Sequence, residues 1–381
     1  MKRLLTLSIL LVFVMAATAL ATQTRVTTMG EADNIVKDEA NVILYPSTIL
    51  QYPKLVGAEV KGGELSNFYG HMALSEDPDS PIAMGLYFQT YNDPFPYGTP
   101  GGWVQSLDNT RLRWIGGMKM GTMPIALGLM YDQASRKTDE PGDQTEQSFF
   151  RFGAILGVTF VEKLEVAGEL KFASWANKDA TGADVTEPTG DLYLAFRARY
   201  WMDPMNKWTL VPHFGFDLLG EGYKDPVSND EWTFARVNID LGLGANYDAA
   251  QDVLMVGDFG FKIAAQNYKY EPTTGTSTED KTGTLVLPYF RLGLDAMVFN
   301  WLDLRGGVIS QWIMETREPG LNQKTTQSNA STSTYLGAGF HWGKFMIDTE
   351  VNPQFLENGP YFVSGESTDL NWMVSLVYWL D

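Results

Sequence analysis

The chain has 381 residues, with 28 Lys and Arg against 46 Asp and Glu, a net charge of −18 and no cysteine. Its acidity disfavours nucleic acid as a partner, and the lack of thiols excludes disulfides, thiolate metal sites, a cysteine nucleophile and a lipidated N-terminal cysteine. Past the leader no run of about eighteen apolar residues occurs, so no helix carries the hydropathy signal of a bilayer span. Export without a helical anchor leaves two classes: a soluble exported domain, or a barrel whose strands alternate too finely for a hydropathy plot to register.

Residues 1–21 read as a secretory signal peptide. Lys2 and Arg3 form the positive head, Leu4 to Met15 the apolar middle and Ala19-Leu20-Ala21 the cleavage motif, which predicts a mature start at Thr22.

Residues 22–54 carry few period-2 strand signals and are expected to enter the barrel as a lumen plug. Asp33, Asp38 and Glu39 are expected to pair with inward arginines, and Ile43, Leu44, Ile49 and Leu50 to pack together. The segment reads Thr28-Met29-Gly30-Glu31-Ala32, Val36-Lys37-Asp38-Glu39-Ala40-Asn41 and Leu44-Tyr45-Pro46-Ser47-Thr48-Ile49-Leu50. Through Gly30, Ala32, Asp38, Glu39, Ala40 and Pro46 it resembles the start of the long-chain fatty acid transporter family and related secretion-system barrels. In that family a Gly-x-Ala stretch and an acidic step lead to Asn-Pro-Ala before the first strand; here Tyr45 replaces the Asn and Ser47 the Ala. The resemblance implies a barrel occluded by its N-terminal segment, with uptake of hydrophobic compounds or a scaffold role in secretion.

From residue 55 to 381 the chain falls into segments that alternate apolar with polar or small residues, the period of a strand. Leu164, Val166, Leu170 and Phe172 oppose Glu165, Glu169 and Lys171; Val237, Ile239, Leu241 and Leu243 oppose Arg236, Asn238 and Asp240. Sixteen strands are expected, over 55–61, 67–75, 81–91, 110–120, 123–133, 147–160, 163–176, 190–201, 207–219, 232–247, 252–270, 283–299, 302–316, 333–342, 345–353 and 371–380, with fourteen as the alternative. Short turns near Asp77-Pro78, Gly121-Thr122, Val161-Glu162, Asp203-Pro204, Asp248 to Gln251, Asn300 and Gly343-Lys344 alternate with long polar connectors. These connectors fall over 92–109, 134–146, 177–189, 220–231, 271–281, 317–332 and 354–370. That alternation defines an all-β, transmembrane, antiparallel up-and-down barrel of the cell outer membrane, with periplasmic turns and outer loops.

Aromatics gather beside the short turns: Phe160, Tyr200, Trp201, Trp208, Tyr247, Trp301, Trp342, Phe345 and Tyr378, the place of a periplasmic girdle. The last strand resembles the assembly signal read by barrel-assembly machinery, although the chain ends Leu380-Asp381 without the usual terminal aromatic.

Where the apolar parity meets lipid, the other parity lines the lumen. It places about twelve cations inward, Arg111, Arg113, Lys119, Arg151, Lys171, Arg197, Arg199, Arg236, Lys262, Arg291, Arg305 and Arg317, against about ten anions, Glu165, Glu169, Asp217, Asp240, Asp258, Asp295, Asp303, Glu315, Asp348 and Glu350. Near-balance suits an ion-paired interior, where a selective pore shows a ring of one sign. Of the three histidines, His71, His213 and His341, the last two are expected to face inward. No Walker, Rossmann, zincin or EF-hand spacing occurs, so no enzyme, cofactor or metal is expected. The expected function is passive uptake or diffusion of small or hydrophobic solutes through a partly plugged lumen. The alternative is a docking barrel serving secretion or envelope attachment without transport. The partners expected are outer-membrane lipid, the assembly machinery and the solute.

Overall fold

The computed structural model describes residues 23–61, 64–91, 109–140, 143–178, 184–188, 190–320, 324–351 and 372–380. The leader, the proposed start at Thr22 and the connectors over 92–108 and 354–370 lie outside them.

Alternation makes the strands, and strand pairing closes them. The chain forms β1 (Leu55–Lys61), β2 (Glu64–Ser75), β3 (Ile82–Tyr91), β4 (Asn109–Met120), β5 (Met123–Glu140), β6 (Asp143–Phe160) and β7 (Leu164–Lys178). Next come β8 (Asp184–Pro188), β9 (Asp191–Tyr200), β10 (Trp208–Lys224), β11 (Glu231–Ala250) and β12 (Val253–Glu271). The chain finishes with β13 (Thr278–Phe299), β14 (Leu302–Glu318), β15 (Thr325–Trp342), β16 (Phe345–Val351) and β17 (Trp372–Trp379). All pairings are antiparallel, and β17 returns to pair with β1, Leu55 opposite Trp379, so the sheet has no free edge at that seam. β8 and β9 both lie between β7 and β10 and act as one interrupted stave, so the seventeen strands make a sixteen-stave barrel. Fourteen is excluded.

The two parities separate cleanly. Phe68, Leu86, Leu112, Leu127, Phe152, Leu194, Leu241, Phe259, Leu292 and Leu304 point outward and are exposed, whereas Arg113, Glu165, Arg199, Asp258 and Arg305 on the opposite parity are buried. A closed wall whose outer face is apolar and whose strands pair along antiparallel ladders is the form in which strands cross a bilayer.

Five of the predicted outer loops are substantially strand, the one over 177–189 through the end of β7 and the whole of β8. β5 continues to Glu140 and β6 begins at Asp143; β10 reaches Lys224; β13 begins at Thr278 and β15 at Thr325. In β15 both faces of Thr325 to Thr334 are polar or small, yet every residue of that stretch has a register partner on β14. Where a wall stands clear of lipid neither face needs to be apolar, so the hydrophobic period vanishes while the backbone ladder persists.

The apolar core lies on the enclosed face, between the wall and residues 23–54. One cluster joins Val42, Ile49 and Leu55 to Tyr69, Ala83, Tyr87, Ile115, Ala126 and Val377; another joins Met29, Ala32, Ile35 and Val36 to Trp201, Val211 and Val256.

Candidate functional site: the barrel interior and its N-terminal segment

The N-terminal segment is built from short turns rather than strands. Helix α1 (Gln23–Thr28) ends in a reversal at Gly30 and Glu31, with φ of 80° and 54°, and two 3-10 helices follow at Glu39–Ile43 and Pro46–Gln51. Asp38 caps the first by accepting from the Ala40 amide at 3.1 Å, and Pro46 starts the second, where its missing N–H costs nothing. Asn41 Nδ2 donates to the Val36 carbonyl at 2.5 Å and ties the turns together.

Helix α1 rests against β14 to β17, and the second 3-10 helix against β3 to β6, so the segment spans the enclosed space. The wall is hollowed to receive it. A Cβ added at Gly117, Gly157, Gly244, Gly293, Gly307 or Gly337 would come within 3.0 Å of Ile49, Pro46, Ile35, Met29, Gly30 or Thr28 respectively. These six glycines sit on six different strands, in the half of the wall nearer the short turns. At Gly157, Gly293 and Gly307 backbone meets backbone, and at Gly117, Gly244 and Gly337 the side chains of Ile49, Ile35 and Thr28 fill the space a Cβ would take.

The electrostatic fit runs opposite to the expectation that acids of the segment meet arginines of the wall. The inward arginines donate to main-chain carbonyls: Arg199 Nη1 to Asp33 O at 2.9 Å, Arg113 Nη1 to Ile43 O at 3.1 Å and Arg291 Nη1 to Glu31 O at 2.9 Å. The cation that crosses the boundary is Arg25 of the segment, bonded to Asp295 of β13 at 3.0 Å and to its own neighbour Asp38 at 3.1 Å. A non-helical segment leaves many carbonyls unsatisfied, and buried carbonyls need donors. Glu39 is 3% exposed and its Oε1 has no hydrogen-bond partner. Burial, with Asp38 beside it, holds its carboxyl well above the usual range.

The remaining inward charges form a ring of pairs. Arg111 binds Asp132 through two bonds of 2.6 and 2.7 Å, and Arg151 reaches the same Asp132 at 3.4 Å. Glu169 is shared by Lys171 at 3.1 Å, Arg113 at 3.5 Å and Arg197 at 3.6 Å, while Glu165 accepts from Arg199 at 2.6 Å. Asp217 meets Arg236 at 3.6 Å, Asp240 meets Lys262 at 3.4 Å, and Asp258 lies between His213 at 3.0 Å and Arg291 at 3.7 Å. Arg305 bridges Asp295, Asp303 and Asp348, with His341 on Asp303 at 2.5 Å. Glu350 is half-buried opposite Gly337 and Met373. Lys119 reaches Pro78 O near a short turn, and the exposed Arg317 pairs with Glu315 at the far end of β14.

Some functional positions escaped sequence reading. Asp132 and Asp191 are buried on the inner parity, at strand ends beside expected connectors. His71 faces inward, between the Tyr52 carbonyl at 2.7 Å and the Tyr87 hydroxyl at 2.5 Å, because it shares parity with Tyr69. Trp201 is no girdle residue: it is 6% exposed and packs with Ile35 and beneath Lys37, one position past the outward Tyr200. Trp208 stacks on Tyr247 at 4.4 Å, Trp301 lies beside Phe299 and Phe340, Phe345 meets Tyr378 at 4.6 Å, and Tyr200 and Trp342 are exposed, all beside the short turns. Leu44 packs with Tyr45, Ile155 and Ala167, apart from the cluster that holds Ile43, Ile49 and Leu50.

Closed wall, lipid-facing apolar parity and charged interior together define an integral, multi-pass β-barrel of the outer membrane. The sequence matches no family model and no curated protein. Among solved structures the chain is similar to CdiB from Escherichia coli, at 9% identity and a TM-score of 0.44, over 86% of this chain and 63% of that one. It is similar also to CdiB from Acinetobacter baumannii, at 9% identity and a TM-score of 0.40, over 85% and 59%. A third is the closed form of the ferric-catecholate import receptor Fiu from E. coli K12, at 7% identity and a TM-score of 0.36, over 86% and 82%. Likeness at this level extends to the barrel form alone.

Proposed function

We propose that the protein is an uptake barrel for small solutes, closed at its periplasmic half by residues 22–54 acting as a plug. The observation that carries this reading is the division of the lumen. Toward the short turns, the six glycines and three arginine-to-carbonyl bonds clasp the segment; on its outward side a cavity of about 270 Å³ remains, floored by Glu39, Ala40 and Ile43 and walled by polar and aromatic side chains. A barrel serving only as a scaffold has no use for a polar chamber above a fitted floor. The lining favours a small polar solute over the hydrophobic cargo that the family resemblance implies.

Planar-bilayer recording and liposome swelling test it. Intact protein is expected to conduct little, and deletion of residues 23–51 to open a steady conductance. The segment contributes to both apolar clusters, so Gly307→Leu, which pushes Gly30 from its seat with the wall chain otherwise intact, serves as the second variant. Large channels in the intact protein, unchanged by either alteration, refute the plug; silence from both folded variants favours the docking barrel.

A further inference from the structure

The outward cavity is chemically lopsided. Its wall presents Glu59 of β1, Asn67 of β2 and Gln89 of β3 at one level, since Glu59 is opposite Asn67 and Asn67 opposite Gln89. Its floor presents Glu39 from the N-terminal segment. Asn67 Oδ1, Gln89 Oε1 and Glu39 Oε1 are all buried and accept no hydrogen bond, and Glu39 is 97% withdrawn from solvent by its 3% exposure. Glu59 receives one hydroxyl on each oxygen, from Ser66 at 3.0 Å and Ser375 at 3.3 Å, which leaves lone pairs on both. Below this level Tyr69 and Tyr87 stack at 5.3 Å with planes 15° apart.

Every orphaned group in the chamber is an acceptor, and an acceptor left dry costs about 1–3 kcal/mol until a donor arrives. The nearby cations do not serve. Arg111 is committed to Asp132, Arg25 lies on Asp38 and Asp295, and Lys61 stands exposed at the rim. With acceptors on wall and floor and a lysine only at the rim, the chamber offers an anion no seat. The volume far exceeds a bare metal ion, and no group of His, Asp and Glu among the described residues is spaced to hold one.

We propose that this chamber is the binding site of a small organic cation carrying N–H donors, an alkylammonium or a guanidinium, seated between Glu39 and Glu59 and reached by the amide oxygens of Asn67 and Gln89. The tyrosine pair lines the same chamber and supplies the π surface such a cation prefers. A seated cation offsets the burial that raises the Glu39 carboxyl and so favours its ionised form. The inference rests on the uptake reading and names its solute class, but the site binds whether or not the solute crosses.

Titration calorimetry on the full-length protein in detergent tests it, with agmatine and putrescine as probes and tetramethylammonium and acetate as controls. Agmatine and putrescine are expected to bind saturably, tetramethylammonium, which lacks donors, at least tenfold more weakly, and acetate not at all. Glu39→Gln keeps the side chain's shape and removes the charge-assisted bond, so affinity should fall by roughly 10- to 100-fold. Gln89→Leu should lower it by a smaller factor, and both variants must retain the heat-modifiable migration of a folded barrel. No binding of either amine at millimolar concentration overturns the site, as does binding that both variants leave unchanged. Passage of labelled agmatine into proteoliposomes is read separately: binding without passage leaves the site standing and counts against uptake.

Discussion

Replacing Arg199 by Ala strikes the firmest clasp on the N-terminal segment. The guanidinium is 1% exposed, donates to Glu165 at 2.6 Å and to the Asp33 and Val36 carbonyls at 2.9 and 3.4 Å, and lies 4.1 Å from the Tyr45 ring centroid. Its loss leaves Glu165, also 1% exposed, as a buried charge stripped of its partner. Breaking a buried pair in this way costs about 3–5 kcal/mol, whereas removing both charges is far milder. At about 1.4 kcal/mol per tenfold, the released state should gain roughly a hundred- to a few-thousand-fold in population. The absence of native cysteine makes this measurable: a thiol placed by Ile35→Cys is fully buried under the clasp, so its maleimide labelling rate reports release. Arg199→Ala should raise that rate by at least a hundredfold, and Arg199→Met combined with Glu165→Gln should recover most of the loss. Equal labelling rates in parent and Arg199→Ala would falsify the view that this arginine holds the segment down.

Burial pushes the Asp33 carboxyl from 3.8 up to about 6, so docking favours the neutral acid; that stabilisation is full below the free value and lost as pH rises through about 6. Labelling at Ile35→Cys, corrected with a free-thiol standard, should therefore be faster at pH 8 than at pH 5, and Asp33→Asn should shrink the difference; an undiminished difference removes Asp33 from the account. Leu194→Arg on the outward face should cost insertion about 2–4 kcal/mol near the bilayer midplane and lower the yield of folded barrel, while Leu192→Val should not; equal yields mean that face does not meet lipid. A single cysteine at Thr274, exposed between β12 and β13, should react with an impermeant maleimide on intact cells and one at Thr122 should not; the opposite pattern inverts the orientation.

Strand positions were legible from sequence wherever one face meets lipid and the other water, because only there does the backbone alternation appear as hydropathy. β1 and β16 follow their predicted starts at Leu55 and Phe345 for that reason. The polar upper part of β15 did not announce itself, since nothing outside the bilayer demands an apolar row. Charge pairing within the wall followed parity, as with Asp258 and Arg291. The fit of the N-terminal segment did not, because it depends on carbonyl groups and on missing Cβ atoms, neither of which is spelled by residue type. Trp201 was misplaced at a strand end, where one residue of register decides the face.

β11 and β13 run for twenty and twenty-two residues. At about 3.3 Å per residue, a stave the length of β13 is some 73 Å long before tilt, more than twice the roughly 30 Å hydrocarbon thickness of a typical bilayer. On that side the paired wall must therefore stand clear of the lipid as a parapet, carrying its rim and the Thr274 turn well out into the surrounding medium.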